Sequence, residues 1–484
     1  MKFNHLNWEC GSGKTDSLLK HLASNHGLYV VALNKIDSFN QNQSRLATFA
    51  GASTVLTKAI HSQDGVKGLD VGARISDFIQ STNSSGSNHC VLFITQEALL
   101  LVDWRRQDLN ISRWQLFIDE APNPFKFFSR NFEISQPDIL TYLTPEQDDD
   151  GVGGNQTYTR IQLTKRGDAL RRCKKDALSF VLQEILNSIS GARIGFANRS
   201  FFGISPDGTI STKLDVFSII DPTYFSTFGE VTILAANFEQ TFAYQLWGAM
   251  GVEFVHRTDF GTPSLRDTPL SERIHIHYFS NKDASLTWFR SPAAPLRVAC
   301  QWINDNIQVP FYYTINQEAG GSSRLNSITS SFATEIQPIA AGSNELRDFT
   351  AAIWLAALKA PPQEYIMMEF FGVDNDDYDR FREHELLYQF ALRSNLREFG
   401  SDKPVDVYVI SKRQAEALQK ITKAKSISKI AIDLPEVADN QSASALPTGR
   451  PRKYKSADES RQAKRDRDRA WVANKRKELT AIKQ

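Results

Sequence analysis

Gly11-Ser12-Gly13-Lys14-Thr15 limits what this 484-residue chain can fold into more than any other segment does. Glycines let the backbone turn tightly and aim several N–H groups at one point. A lysine and a hydroxyl directly after such a turn, at a helix start, have the chemistry of a phosphate-binding loop. The helix end attracts the anion, the lysine reaches the terminal phosphates and the hydroxyl binds Mg²⁺. The flanks agree with this reading. Phe3–Trp8 predicts a short strand, and Leu18, Leu19, Leu22 and Ala23 recur at helical spacing. Gly27 suits a helix end, and the apolar run Leu28–Leu33 predicts a buried strand. Glu9, or the residue beside it, stands where the full pattern has its first glycine, so only half of that pattern is intact. A flexible glycine turn beside an incidental lysine is the plainer alternative.

A second segment narrows the choice. Trp114-Gln115-Leu116-Phe117-Ile118 is the continuous apolar run of a strand buried in a parallel sheet, and Asp119 and Glu120 follow it. Ligand chemistry in such sheets gathers at the carboxyl ends of strands. Asp119 is expected to hold Mg²⁺, and Glu120 to orient or deprotonate an attacking water. Two solvated carboxylates at a strand end are common, so this segment alone would carry little. After a phosphate loop, it predicts a hydrolase of nucleoside triphosphates that uses ATP and Mg²⁺.

The length suits two domains and a tail. The first is expected over residues 1–260, with a further strand at His89–Thr95, a helix from Gln96 and a strand at Val231–Ala235. Glu146–Asn155 predicts a surface loop, and Arg160–Ser190 a helix with a basic face. The second domain is expected over 261–435. Its strands are placed at Pro310–Ile315, Tyr365–Phe371 and Val405–Ile410, and a helix at Asp348–Leu358. Alternating strands and helices predict an α/β fold with parallel sheets in both halves. Residues 436–484 read as a linker and a basic tail expected to be disordered. From Gly449 to Gln484 there are 13 Lys or Arg against 5 Asp or Glu, a net +8 on a chain whose total is +1. Such a split marks a basic arm on a mildly acidic body. Four scattered cysteines and no signal-like or membrane-length apolar stretch give the expectation of a cytoplasmic protein.

One more segment completes the pattern. Tyr388-Gln389-Phe390-Ala391-Leu392-Arg393-Ser394-Asn395-Leu396-Arg397 places a glutamine ahead of two arginines near the end of the second α/β half. With the two nucleotide segments, it resembles the last motif of DEAD-like superfamily 2 helicases, of a phage or plasmid type. The family has its second arginine three residues after the first, where this chain has four, and the usual glycines are absent. Helical spacing would keep Gln389, Arg393 and Arg397 on one face. The resemblance implies two RecA-like domains in tandem and arginines that stabilise charge on the γ-phosphate once the domains close. Surface ion pairs with Glu383, Glu385 or Glu398 are the alternative. By position only, it also implies nucleic-acid contacts at Asn34, Lys35, Thr95, Gln96, Asn237 and Asn344. There is no room before Cys10 for the adenine-reading glutamine motif of RNA-unwinding DEAD-box proteins, so DNA is expected over RNA. Such a motor completes its site within one chain, and no oligomer or membrane is required.

The tail carries a separate signal. Gly449-Arg450-Pro451-Arg452-Lys453 resembles an AT-hook, whose arginines enter the narrow A·T-rich minor groove. A general phosphate-binding arm is the alternative. Two other functions compete with the motor. One is a terminase-like packaging ATPase, for which Asp374, Asp376, Asp377 and Asp379 would supply a nuclease site. The other is a non-catalytic replication or DNA-binding protein with a decayed ATPase fold.

Overall fold

The computed structural model describes residues 1–51, 55–63, 70–133, 135–146, 157–173, 177–189, 191–205, 207–291, 294–316, 328–338 and 345–435. Asn344, the tail with Arg450, Arg452 and Lys453, and the loop after Glu146 lie outside the described residues.

Two parallel sheets organise the chain between Met1 and Pro435. The first has seven strands in the order Glu253–His256, Lys2–Leu6, Glu230–Leu234, Trp114–Asp119, Leu28–Leu33, Cys90–Thr95 and Leu56–Ala59, all pairs parallel. Leu28–Leu33 is buried at every position, as a central parallel strand covered on both faces must be. The second sheet runs Ala333–Glu335, Phe311–Ile315, Ala351–Leu355, Val405–Ser411, Ile274–Ser280 and Ile427–Lys429, again all parallel. The α/β class with parallel sheets in both halves is therefore the observed fold.

A third sheet was not expected. Between Trp114–Asp119 and Glu230–Leu234 the chain builds five antiparallel strands, ordered Phe125–Asn131, Lys213–Ile220, Arg193–Asn198, Tyr158–Leu163 and Leu143–Pro145. Its presence corrects the reading of Arg160–Ser190 as one helix. Tyr158–Leu163 is a strand that buries its aromatic and β-branched residues Tyr158, Thr159 and Ile161. The Thr164 side chain then accepts from the Gly167 N–H at 3.1 Å and starts a helix at Lys165–Arg172, and Ala177–Ser188 is a second helix.

Two elements of the second half exchange identity. Asp348–Leu358 holds a fully buried strand, Ala351–Leu355, between Phe311–Ile315 and Val405–Ser411. A short apolar run fits a buried strand and a buried helix equally, and the neighbouring strands decide it. The expected strand Tyr365–Phe371 instead falls on helix Pro362–Phe370 and its C-cap Phe371, a helix that starts on a proline and buries Glu364, Met367 and Met368 at helical spacing.

The two halves pack through an aromatic seam. The Phe242 ring stacks on Phe381 at 5.7 Å and meets Tyr378 edge-on, while Phe125 also meets Tyr378 and Phe196 meets Phe371. Phe125 and Phe196 belong to the antiparallel sheet, which thus ties the halves together. Met367, Met368, Val373 and Tyr378 share one apolar cluster with the first sheet.

Candidate nucleotide site between the two sheets

Sheet register sets this site. Leu6 pairs with Leu234, and Leu234 pairs with Asp119, so the loop after Leu6 and the acidic pair emerge level, one strand apart. Gly11 and Gly13 have φ of 85° and 93°, the left-handed region that glycine enters at little cost. The Ser12 N–H and hydroxyl both donate to the Glu9 carbonyl, at 3.2 and 2.7 Å, and close the turn. Helix Lys14–Ser24 begins there and buries Leu18, Leu19, Leu22 and Ala23. The Lys14 ammonium donates to the Trp8 and Glu9 carbonyls at 2.9 Å each. Burial lowers its pKa, against the opposing pull of Cys10, Asp119 and Glu120.

The Thr15 hydroxyl donates to Asp119 Oδ2 at 3.2 Å. Burial, then the neighbouring Glu120 charge, pushes the Asp119 carboxyl up to about 6, with Lys14 opposing. A carboxylate with a hydroxyl beside it and its charge under-compensated is a fitting donor pair for Mg²⁺, which takes one or two protein ligands and completes its shell with phosphate and water. Glu120 has φ of 73°, a strained value for a non-glycine residue, and its N–H donates to the Leu234 carbonyl at 2.7 Å.

Two residues expected on nucleic acid are found at the acidic pair. The Asn34 side-chain amide donates to Glu120 Oε2. The Gln96 amide donates to the carbonyls of Asp119 and Glu120 at 2.9 and 3.1 Å. Thr95 caps the short helix Gln96–Leu99 by accepting from the Ala98 N–H at 3.0 Å. Lys35 is exposed beside Asn34. Asn237, with φ of 51°, turns toward the second half and donates to Glu385 Oε2 at 3.5 Å.

The second half brings its own residues to the loop. Helix Glu385–Ala391 ends before Arg393, so Gln389, Arg393 and Arg397 do not share a helical face as their spacing suggested. A new turn, Asn395–Arg397, starts where the Ser394 hydroxyl accepts from the Leu396 N–H at 3.3 Å. That turn lays Arg397 against the phosphate loop. A Cβ on Gly11 would meet Arg397 Cγ at 3.3 Å and the Phe399 ring at 3.2 Å. Arg393 is buried, and among the described residues its Nη1 has no hydrogen-bond partner. Burial lowers its pKa, with Tyr312, Glu120 and Cys10 opposing. Among the described ion pairs, neither arginine joins Glu383, Glu385 or Glu398, and Glu398 pairs with Arg347 at 3.2 Å.

Three supports had no sequence signal. Arg266 pairs with Glu9 at 2.8 Å and lies over the Phe399 ring at 4.0 Å, joining the loop to the second half. Arg273 is buried and donates to the carbonyls of Lys403, Glu398 and Asn395 at 2.8–3.1 Å, holding the segment that carries Arg397 and Phe399. Glu385 accepts from Gln389 Nε2 at 3.1 Å. The two arginines depend on partners far away in sequence, as does the Asn237 contact of Glu385.

The acidic group near Asp374 is accounted for by local pairing. Asp376 and Asp379 pair with Arg413 at 2.6 and 3.0 Å, and Asp377 pairs with Arg380 at 2.8 Å. Asp374 caps helix Asn375–Asp379.

No protein-family model and no curated protein matches this chain. Among solved structures it is similar to an XPD helicase, with 12% identity and a TM-score of 0.47 over 88% of this chain and 96% of that one. It is similar to a DEAD box protein from Methanococcus jannaschii, with 10% identity and a TM-score of 0.29 over 88% of each chain. It is also similar to Dbp5 of S. cerevisiae bound to RNA and ADP BeF3, with 10% identity and a TM-score of 0.36 over 89% of this chain and 85% of that one. No helix among the described residues is long and apolar enough to cross a membrane.

Proposed function

We propose that this chain is an ATP-dependent nucleic-acid motor, a DNA helicase or translocase of the superfamily 2 kind, that hydrolyses ATP between its two parallel sheets. One arrangement supports this most: Arg397, from the second half, lies against Gly11 of the phosphate loop, which stands level with the Asp119–Glu120 pair. In this reading Gly11, Ser12 and Gly13 cradle the phosphates, and Lys14 leaves its loop carbonyls to meet the terminal ones. Thr15 and Asp119 would hold Mg²⁺, which when bound would polarise the phosphate oxygens. Glu120 positions the attacking water. Gln389, Arg393 and Arg397 face the charge that develops on the transferred group. Turnover then requires the halves to be together, and nucleic acid promotes that closure.

The proposed domains are 1–260, 261–435 and a basic arm at 436–484. Lys35, Thr95 and Asn344 are assigned to the nucleic-acid backbone, and Arg450, Arg452 and Lys453 to DNA. The proposed setting is the cytoplasm, on a phage or plasmid genome. Asn34 and Gln96 take a different role, holding the acidic pair.

The deciding experiment is phosphate release from ATP by the full chain, with Mg²⁺ and with single-stranded DNA, duplex DNA or RNA. Hydrolysis that rises severalfold with single-stranded DNA supports the reading. Stimulation by RNA alone would replace the DNA assignment, and no hydrolysis under any condition would leave a DNA-binding protein with a decayed site.

A further inference from the structure

Several acids of this half pair with cations: Asp283 with Lys359 and Arg413, Asp379 with Arg413, and Glu364 with Arg382. Glu383 is in no described ion pair and accepts from the Leu358 N–H and Gln414 Nε2, both within its own half. Glu385 has no described ion pair, and both of its described side-chain partners are neutral amides. Gln389 Nε2 donates at 3.1 Å from one helical turn along, and Asn237 Nδ2 at 3.5 Å from the far side of the cleft. No helix end compensates the charge, because a π-helical turn at Arg380–His384 runs directly into helix Glu385–Ala391. Burial raises the Glu385 pKa to about 7. The charged and titratable groups that face it are Lys14 and Glu120 across the cleft, together with Cys10 of the loop and Tyr388 of its own helix.

Asn237 is itself fixed. It takes a left-handed conformation that asparagine tolerates better than most residues. The next N–H, of Phe238, donates to Asn7 Oδ1 at 3.0 Å, just ahead of the phosphate loop. The three side chains therefore run from the root of the loop in one half to the Gln389 helix in the other.

We infer that Glu385 is an interlobe positioning residue for ATP hydrolysis: its carboxylate holds Gln389 of its own helix and takes Asn237 from the other half, so that the oriented Gln389 is tied to the first half only when the halves are closed. The inference rests on the nucleotide reading above. An ionised carboxylate only accepts hydrogen bonds. It turns both NH₂ groups toward itself and the amide oxygens away, which gives Gln389 one orientation at the cleft. A protonated carboxyl can donate, and an amide opposite it can flip. Turnover should therefore follow the ionised form.

The test compares wild type, Glu385→Gln and Gln389→Ala as full-length chains, with saturating DNA and Mg²⁺. Glu385→Gln keeps the shape and removes the charge. The expected result is a kcat lower by about tenfold or more, from lost orientation, with KM within about twofold. Binding of a fluorescent ATP analogue should be unchanged. Wild-type kcat should rise with pH through about 7, and the rise should vanish in Glu385→Gln. The double variant should be no slower than the slower single one, because both act through one orientation. A Glu385→Gln kcat within twofold of wild type, or one that keeps the pH rise, overturns the inference. So does loss of analogue binding together with turnover, since the residue would then be a structural prop. Failure of the nucleotide reading is separable: wild type itself would hydrolyse no ATP.

Discussion

The Thr15 hydroxyl donates to the Asp119 carboxylate across 3.2 Å, although 104 residues separate the two in sequence. Neither side chain reaches far. The contact exists because Lys2–Leu6 and Trp114–Asp119 flank Glu230–Leu234 in one sheet, with their carboxyl ends level. Each residue tests the other's assignment.

Asp119→Asn is expected to abolish Mg²⁺-dependent hydrolysis and to stabilise the metal-free protein near pH 8. The folded protein holds the Asp119 proton more tightly than the unfolded chain does, with a carboxyl at about 6 against an ordinary value of 3.8. Stability from this group is therefore present below about 4 and lost as pH rises through about 6. Removing the charge should recover on the order of 1–3 kcal/mol at pH 8. Denaturant melts of both proteins at pH 4 and 8, without metal, check this. A larger gain at pH 4 than at pH 8 would contradict it.

Gly11→Ala should cost more than Gly13→Ala. Both force a side chain into a left-handed backbone, at roughly 1–2 kcal/mol. Only Gly11 also meets Arg397 and the Phe399 ring within 3.3 Å, whereas the nearest atom to a Cβ on Gly13 is Ser264 Oγ at 3.9 Å. Thermal melts and ATP-analogue binding separate the two, and equal effects would mean the contact across the halves adds nothing.

Asn34→Ala and Gln96→Ala are expected to slow ATP turnover even without nucleic acid. Their amides hold the Glu120 carboxylate and the carbonyls of the acidic pair. A misplaced catalytic carboxylate costs about tenfold to a hundredfold in kcat. Basal hydrolysis at wild-type rates, with weakened DNA binding, would return both residues to the nucleic-acid face.

Arg273→Ala should destabilise the protein by about 3 kcal/mol or more, because several buried carbonyls lose their donor together. It should also lower kcat through the segment carrying Arg397. Arg397→Ala should lower kcat by about 10²–10³-fold with little change in stability. Urea unfolding and steady-state kinetics on both variants distinguish the support from the group it supports.

Removing residues 449–484 takes away a net +8. DNA affinity should fall and its salt dependence flatten, since each lysine or arginine that neutralises a phosphate releases counterions. Basal ATP hydrolysis should persist. Fluorescence titrations at several salt concentrations, on A·T-rich and G·C-rich duplexes, read this directly. A selective loss on A·T-rich DNA assigns Arg450 and Arg452 to the minor groove, and unchanged binding to both removes the tail from DNA recognition.

Local chemistry determined a good part of this protein. The glycines ahead of Lys14 and Thr15, between an apolar strand and an amphipathic helix, specify a tight turn into a helix. The apolar runs Leu28–Leu33 and Cys90–Thr95 are legible as buried strands, and both are parallel strands of the first sheet. Those preferences act over a few residues, so they are written in order along the chain. Tertiary structure decided what depends on pairing. It made Ala351–Leu355 a strand, because two strands were there to receive it, and it paired five strands lying between Phe125 and Ile220 into an antiparallel sheet that bridges the halves. It brought the side-chain amides of Asn34 and Gln96 to the acidic pair. It also brought Arg266 to Glu9 and Glu385 to Asn237, across 257 and 148 residues. A side chain's local sequence fixes what it can bond to, and only the packed sheets fix which partner stands within 3 Å.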